Sequence, residues 1–210
     1  MSGPGLTLAR VRITLAGSEL LALDTVVRPG EILTVMGPSG SGKSTLLAFV
    51  AGMVDPAFGV AGRILIDGTD VTALPPERRH VGLLFQDALL FPHLSVLGNV
   101  LFGMPRARAD RRTRAESLLA EAGLAGFGAR DPATLSGGQR ARVALLRLLA
   151  SEPRVVLLDE PFSKLDAHLR AEIRAYVFAR VRAAGLPTLL VTHDQADAEA
   201  TGERIIRLTE

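Results

Sequence analysis

A glycine-rich segment that ends in a lysine and a serine carries the strongest chemical signal in this sequence. Residues 37–44 read Gly-Pro-Ser-Gly-Ser-Gly-Lys-Ser, which has the spacing G-x-x-x-x-G-K-S. Glycines permit turns that a Cβ forbids, so successive amide N–H groups converge on phosphate oxygens, and the helix that follows adds its positive end. In such a segment Lys43 places its charge between two phosphates and the Ser44 hydroxyl binds magnesium.

The segment therefore predicts a site for a nucleoside triphosphate, ATP or GTP, with Mg²⁺ as cofactor. The alternative is a glycine-rich turn that binds nothing. A buried strand before the loop and a helix after it disfavour that alternative. The residues expected to contact the nucleotide are Gly37, Pro38, Ser39, Gly40, Ser41, Gly42, Lys43, Ser44 and Thr45.

Two adjacent carboxylates follow an apolar run further along the chain. Asp159 and Glu160 come directly after Val-Val-Leu-Leu at 155–158. Such a pair is costly to place beside a buried strand unless something offsets its charge. Magnesium at Asp159 would do so, and Glu160 would then accept a proton from the attacking water. An acidic helix cap before Pro161 explains the pair equally well in isolation, but the glycine-rich loop favours the metal and base interpretation.

A second glycine-containing helix start lies at residues 135–139, which read Leu-Ser-Gly-Gly-Gln. A helix N-terminus presents free N–H groups and positive potential, so this is a second candidate anion site. The alternative is an ordinary helix cap by Ser136. Because one nucleotide needs only one cradle, a second phosphate site in the same chain requires an explanation.

Short apolar runs alternate with helical stretches, which is typical of a mostly parallel sheet covered on both faces. We predict an α/β fold with a P-loop (RecA-like) core, an N-terminal antiparallel β subdomain and an inserted helical subdomain. The chain is expected to form one domain over 1–210. The core with the β subdomain covers about 1–86 and 145–210, and the helical subdomain about 87–144.

Composition excludes several other classes of protein. The 210 residues include no cysteine, so neither a disulfide framework nor a cysteine-ligated metal site is possible. No apolar run approaches the roughly 20 residues that span a bilayer. The net charge is +2 and aromatics make up 4%, so the arginines of 106–114 are interpreted as a solvated helix face, and no nucleic acid partner is expected.

The glycine-rich loop, Leu-Ser-Gly-Gly-Gln and Leu-Leu-Asp-Glu-Pro at 157–161, in this order and spacing, resemble the nucleotide-binding subunit of an ABC transporter. The resemblance covers essentially the whole chain. It implies a homodimer of ATPase subunits packed head to tail, in which each signature loop meets the γ-phosphate held by the other subunit. The signature residues expected at that phosphate are Ser136, Gly137, Gly138 and Gln139.

The same resemblance implies roles for residues outside these segments. Gln86 is expected to contact magnesium and water, His193 the γ-phosphate, and Asp166 the dimer interface. The implied metal ligands are Ser44, Gln86 and Asp159, and Lys43, Gln86, Glu160 and His193 are the expected hydrolytic set. Lys164 stands where a small residue is more usual. The remaining histidines, His80, His93 and His168, are expected to be structural.

Residues 86–94 resemble ATPases of binding-protein-dependent importers, and residues 131–149 and 159–166 look close to the short YnjD-type ATPases. The resemblance implies a transmembrane permease and a periplasmic or extracellular substrate-binding protein as partners. It places the chain at the cytoplasmic face of the inner membrane, held there through the permease. An exporter-type ATPase and a soluble ABC protein acting on nucleic acid or ribosomes remain as alternatives.

One position departs from the family pattern. The aromatic residue that usually stacks on the adenine falls near Thr14, where the neighbours are Arg12, Ile13 and Leu15. Arg12 is a candidate to stack on the base as a cation. We therefore predict weaker base discrimination than is usual for the family, and equal ATP and GTP turnover would support this prediction. A strong preference for ATP would contradict this expectation.

Overall fold

A computed structural model describes residues 5–208, apart from the side chain of His168, so the expectation for that histidine lies outside the described part. The strands are β1 (Leu6–Leu15), β2 (Ser18–Val27), β3 (Ile32–Met36), β4 (Phe58–Ile66), β5 (Thr69–Asp70), β6 (Val81–Leu84), β7 (Val155–Asp159), β8 (Thr188–Thr192) and β9 (Ile205–Arg207). The helices are α1 (Lys43–Ala51), α2 (Pro76–Arg79), α3 (Val96–Gly103), α4 (Arg111–Glu121), α5 (Gly137–Ala150), α6 (Ala167–Ala183) and α7 (Gln195–Glu199).

These elements form two sheets. The first has the order β6-β7-β8-β3-β9, and the pairs β7–β8, β8–β3 and β3–β9 are parallel. The second has the order β2-β1-β4-β5, and its pairs are antiparallel. The parallel sheet, the separate antiparallel sheet and the helices confirm the predicted fold class.

The chain divides into two compact units. One contains residues 5–83, 154–160 and 178–208, and the other contains residues 84–153 and 161–177. We call them the sheet unit and the helical unit. Over residues 5–208, no helix combines the length and the apolar composition that crossing a membrane requires.

The core of the sheet unit explains why its strands are apolar throughout. All five residues of β3 and of β8 are buried, as expected for central strands of a parallel sheet covered on both faces. Along β1, in contrast, exposed Arg12 separates buried Val11 from buried Ile13, because this sheet has one polar face. One core cluster joins residues of β1, β2, β3, β4, β7 and β8 with α1.

A buried arginine fixes the end of α1. Helix α1 is followed by Gly52, which adopts a left-handed conformation with φ of 82°. Arg79 is 5% exposed, and its guanidinium donates from Nη1 to the carbonyls of Phe49 and Val50 at 2.8 and 3.0 Å. Because the last carbonyls of a helix carry negative partial charge, this cation both neutralises and anchors them. The helix that begins at the glycine-rich loop is therefore held firmly at its other end.

The helical unit has its own apolar core. Residues of α3, α4 and α5 supply most of it, and Leu124 and Leu135 complete it from the connecting segments. Helices α3 and α5 approach closely, since a Cβ at Gly103 would lie 2.1 Å from the Arg147 carbonyl oxygen. A side chain at position 103 would therefore force the two helices apart. This packing positions the signature helix α5 within its unit.

Candidate nucleotide site

The glycine-rich loop joins the buried strand β3 to helix α1. The residue before the helix is Gly42, whose φ of 83° is one that residues with a Cβ rarely adopt. Gly42 offers no side chain to cap α1, and no side-chain cap bond is present there. The first amide N–H groups of α1 are thus available to a bound anion, as a phosphate site requires.

Lys43 is buried against this loop. The residue is only 6% exposed, and its ammonium donates to the carbonyl oxygens of Gly37 at 2.8 Å and Pro38 at 2.5 Å. Desolvation lowers the pKa of Lys43, while the nearby charges of Glu160 and Asp159 act in the opposite direction. A desolvated ammonium beside the loop amides suits a phosphate, whose charge would replace the lost hydration.

A hydroxyl and a carboxylate meet beside this lysine. Ser44 Oγ donates to Asp159 Oδ1 at 3.1 Å, although the two residues are 115 positions apart in sequence. Burial raises the pKa of Asp159, and Glu160 raises it further, while the Ser44 hydrogen bond and Lys43 lower it. A desolvated carboxylate next to a hydroxyl is an oxygen donor pair of the kind that Mg²⁺ prefers. The residues present therefore fit the predicted magnesium site.

Glu160 and His193 form the third part of this group. Their strands are parallel neighbours, with Asp159 in register with Val191, so both side chains emerge at the carboxyl end of the sheet. The Glu160 N–H donates to the Val191 carbonyl at 3.0 Å, and its Oε1 lies 2.9 Å from His193 Nδ1. Glu160 has a φ of 46°, an uncommon conformation that a precise requirement for side-chain direction would explain.

The sheet unit thus brings together most of the predicted nucleotide residues. This unit contains the glycine-rich loop with Lys43 and Ser44. Asp159, Glu160 and His193 join them around the carboxyl ends of β3, β7 and β8. Ligands of open parallel sheets bind at this edge. The arrangement can hold phosphates, coordinate a divalent cation and accept a proton.

The predicted signature residues lie in the helical unit, where they begin α5. Ser136 Oγ accepts the Gln139 N–H at 3.3 Å, and Gln139 Oε1 accepts the Ser136 N–H at 2.9 Å, which forms a capping box. Packing also favours glycine at position 138, because a Cβ there would lie 2.6 Å from Leu169 Cδ1. The capping interpretation that the sequence left open is therefore realised, and it is compatible with anion binding.

Gln86 and Asp166 lie in the helical unit as well. Gln86 is exposed and lines a cavity of about 120 Å³ with Gly137, Arg140 and Leu165. Asp166 Oδ1 accepts the Leu169 N–H at 3.0 Å, so it caps the start of α6. The predicted roles of both residues toward a nucleotide or a second subunit stay predictions.

Lys164, the residue that departs from the usual pattern, has a partner that sequence reasoning missed. Its Nζ lies 2.6 Å from both carboxylate oxygens of Asp87, the residue after Gln86. Both side chains are more than half exposed, at 53% and 58%, so the pair contributes at most about 1 kcal/mol. No local pattern signals a contact between residues 77 positions apart, although the unusual lysine was a clue.

The region expected near the base is also better defined by the structure. Arg12 Nε lies 4.0 Å from Glu19 Oε2, and both side chains are largely exposed. Leu15 at the end of β1 is paired across the sheet with Phe58 of β4, so an aromatic residue stands in register with this region. Phe58 is distant from Thr14 in sequence, so the local sequence around Thr14 does not predict this pairing.

Comparison with known proteins agrees with this geometry. The model of the ABC transporter family matches residues 20–163. The chain is 45% identical over 198 residues to an uncharacterized ABC transporter ATP-binding protein, YnjD, of Escherichia coli, covering 93% of this chain and 91% of that protein. The chain belongs to the ABC transporter family and contains its ATP-binding ATPase domain, as the resemblance predicted.

Two further relatives are named as parts of import systems. Identity is 47% over 191 residues to an Fe(3+) ions import ATP-binding protein, FbpC, of Agrobacterium fabrum, covering 90% of this chain and 53% of that protein. Identity is also 47% over 186 residues to a sulfate/thiosulfate import ATP-binding protein, CysA, of Mycobacterium bovis, covering 87% of this chain and 52% of that protein. The chain thus spans about half the length of these two relatives.

Proposed function

We propose that this chain hydrolyses ATP to drive a membrane importer. The observation that carries the proposal is the group formed by Lys43, Ser44, Asp159, Glu160 and His193 at one edge of the parallel sheet. Membership of the ABC transporter family indicates that the nucleotide is ATP. The names of two relatives, both import ATP-binding proteins, support import as the direction of transport. We further propose that the whole chain acts as a single ABC ATPase domain.

The residues of the group have distinct tasks in the proposed reaction. The loop amides and Lys43 bind the phosphates, and Ser44 with Asp159 would hold Mg²⁺, with Gln86 as a further proposed ligand. When bound, the cation neutralises charge on the transferred phosphoryl group. Glu160 accepts the proton of the attacking water, and the His193 ring, 2.9 Å from its carboxylate, orients it.

The signature residues are proposed to complete the site of a second copy. The start of α5 offers the Gly137 and Gly138 amides at a helix N-terminus, which suits an anion. Each chain is expected to bind one nucleotide, in its P-loop. We therefore propose a head-to-tail homodimer in which the signature residues of one copy contact the phosphate bound by the P-loop of the other. Asp166 is proposed to lie at that interface.

Partners in the membrane follow from the same family. We propose that the chain binds transmembrane permease subunits, that a substrate-binding protein delivers the cargo, and that the chain lies at the cytoplasmic face of the membrane through the permease. Residues 86–94 are the proposed permease contact. Three exposed apolar side chains, Phe85, Leu89 and Phe102, support this assignment, since such surface often marks a protein interface.

Trapping the hydrolytic state tests the proposed function. Glu160→Gln should bind ATP and Mg²⁺ but hydrolyse at least about 100-fold more slowly, because the proton acceptor is lost. With ATP and Mg²⁺, gel filtration should show this variant as a dimer. Glu152→Gln is the matched control, since Glu152 has a similar φ of 52° and lies outside the group of nucleotide residues. Hydrolysis at the parent rate by Glu160→Gln would contradict the assignment.

A further inference from the structure

A buried asparagine organises the loop between β6 and α3. Asn99 is fully buried in α3, and its side-chain amide pairs with the backbone of Phe91. Its Oδ1 accepts the Phe91 N–H at 2.8 Å, and its Nδ2 donates to the Phe91 carbonyl at 3.1 Å and the Leu94 carbonyl at 3.3 Å. Residues 88–91 have no regular secondary structure, so this side chain replaces the pairing that a strand or helix would provide.

A cation from α5 completes the same arrangement. Arg147 donates from Nη1 to the Leu89 carbonyl at 2.9 Å and from Nη2 to the Ala88 carbonyl at 3.2 Å. Its guanidinium carbon lies 4.8 Å from the centroid of the Phe91 ring, and Nη1 also reaches Asn99 Oδ1 at 3.3 Å. Only the planar fork of arginine can bond two successive carbonyls while it stacks on a ring. The Arg147 guanidinium therefore contacts the loop backbone, the Phe91 ring and the buried Asn99 amide at the same time.

These contacts hold an uncommon backbone conformation. Leu89 has a φ of 41°, which is unfavourable for a leucine, and its side chain is 56% exposed. The carbonyl that Arg147 binds belongs to this same residue. Beside it, the Phe91 and Phe102 rings lie 4.5 Å apart, and Phe102 is 64% exposed. The strained leucine and the phenylalanine thus form an exposed apolar face that the loop would not present if it relaxed.

We propose that Arg147 is a positioning residue that fixes the Ala88–Phe91 loop, and thereby Leu89, in the shape that the permease recognises. The identity of the partner rests on the proposed function, whereas the fixing of the loop does not. Helix α5 begins at the signature and carries Arg147 ten residues after Gly137, about 15 Å along the helix. One rigid element therefore connects the proposed phosphate contact to the proposed docking loop.

The lack of cysteine in the chain allows the loop to be observed directly. A nitroxide on Leu89→Cys should be immobilised in the parent and clearly more mobile when Arg147→Met is added. Arg147→Lys should give intermediate mobility, because one ammonium replaces the fork. The same label on Ala120→Cys, an exposed position of α4, should not respond.

A matched control separates positioning of the loop from general weakening of α5. Arg142 lies on the same helix and donates to the Ala122 carbonyl at 3.0 Å, at the end of α4. Arg142→Met should leave the label at position 89 immobile. The ATP KM of the Arg147 variants should also stay at the parent value, since Arg147 lies outside the nucleotide loop. An immobile label in Arg147→Met, or equal mobility in Arg142→Met, would overturn the proposal.

A second arm tests the consequence for docking. The probe is a preparation of inverted membrane vesicles from the source organism, and the measurement is co-sedimentation of the chain. Arg147→Met should bind roughly tenfold more weakly than the parent, the scale on which a misplaced interface anchor acts. If the parent itself does not bind, the proposed permease partner fails while the loop measurement still stands. If Arg147→Met binds as well as the parent, the role of Arg147 in docking is wrong.

Discussion

Two helices of this protein begin beside glycines, and they solve the problem of free N–H groups in opposite ways. Helix α1 begins after Gly42, which supplies no side-chain acceptor. Helix α5 begins after Ser136, whose hydroxyl, together with the Gln139 side chain, satisfies two backbone donors. The first helix start is open and the second is closed by its own residues.

The difference indicates how each helix start is expected to work. The free N–H groups of an open start need an anion as acceptor, so α1 is suited to contact the phosphates for as long as the nucleotide is bound. A closed start is stable alone, so α5 is suited to meet a phosphate only when a second subunit approaches. In the sequence both segments look like a glycine-rich helix start, and only the geometry distinguishes them.

Removing the charge at the open start should have the largest effect. Lys43→Ala should lower ATP turnover below detection, because the ammonium is buried against the loop and nothing replaces its contact with the phosphates. Since desolvation lowers the pKa of Lys43, its charged form is costly in the fold, so thermal stability should not fall with activity. Retained turnover would undo the assignment of the loop.

Asp159→Asn tests the electrostatics of the site at the open helix start, through the pH dependence of thermal stability. Burial raises the pKa of Asp159 in the fold, so its charge destabilises the free protein at pH values above that pKa. The variant should therefore have a higher Tm than the parent at neutral pH, and this gain should vanish as pH falls through the raised pKa.

Magnesium-dependent turnover of the same variant should fall by about two orders of magnitude or more, because several kcal/mol of charge stabilisation are lost. Thermal melts across pH and steady-state hydrolysis measure the two effects. A Tm below that of the parent at neutral pH would contradict the electrostatic argument. Parent turnover would contradict the metal assignment.

Ser136→Ala opens the closed start and should have a smaller effect. Loss of the cap should lower the free energy of unfolding by about 1 kcal/mol. Ser95→Ala is the matched control, because Ser95 caps α3 of the same unit by accepting the Gly98 N–H at 3.1 Å. Urea melts should show similar losses for both variants, whereas ATP turnover should fall only in Ser136→Ala. Equal turnover in the two variants would reduce Ser136 to a structural cap.

The elements that the sequence predicted best are those with continuous local patterns. The buried strand expected before the glycine-rich loop is β3, and the helix start expected at residues 135–139 is the start of α5 at Gly137. Strand β9 was missed, because three residues at the edge of the sheet carry too little pattern.

The parts of the site that remained hidden depend on contacts distant in sequence. Three features arise only after folding. They are the φ of 46° at Glu160, the Lys164–Asp87 ion pair and the hydrogen bonds from Arg147 to the Ala88–Phe91 loop. Residue types and spacing could therefore name the candidate groups around the phosphates. They could not show that one helix start is open and the other closed.

Complementation between two inactive variants tests most directly whether the closed start acts on a second copy. Lys43→Ala keeps an intact signature, and Ser136→Arg keeps an intact P-loop while a bulky side chain blocks its signature. In a head-to-tail dimer, mixing them creates one site with both parts intact. We predict that each variant alone is inactive and that the mixture hydrolyses ATP. A mixture as inactive as its components would contradict the account.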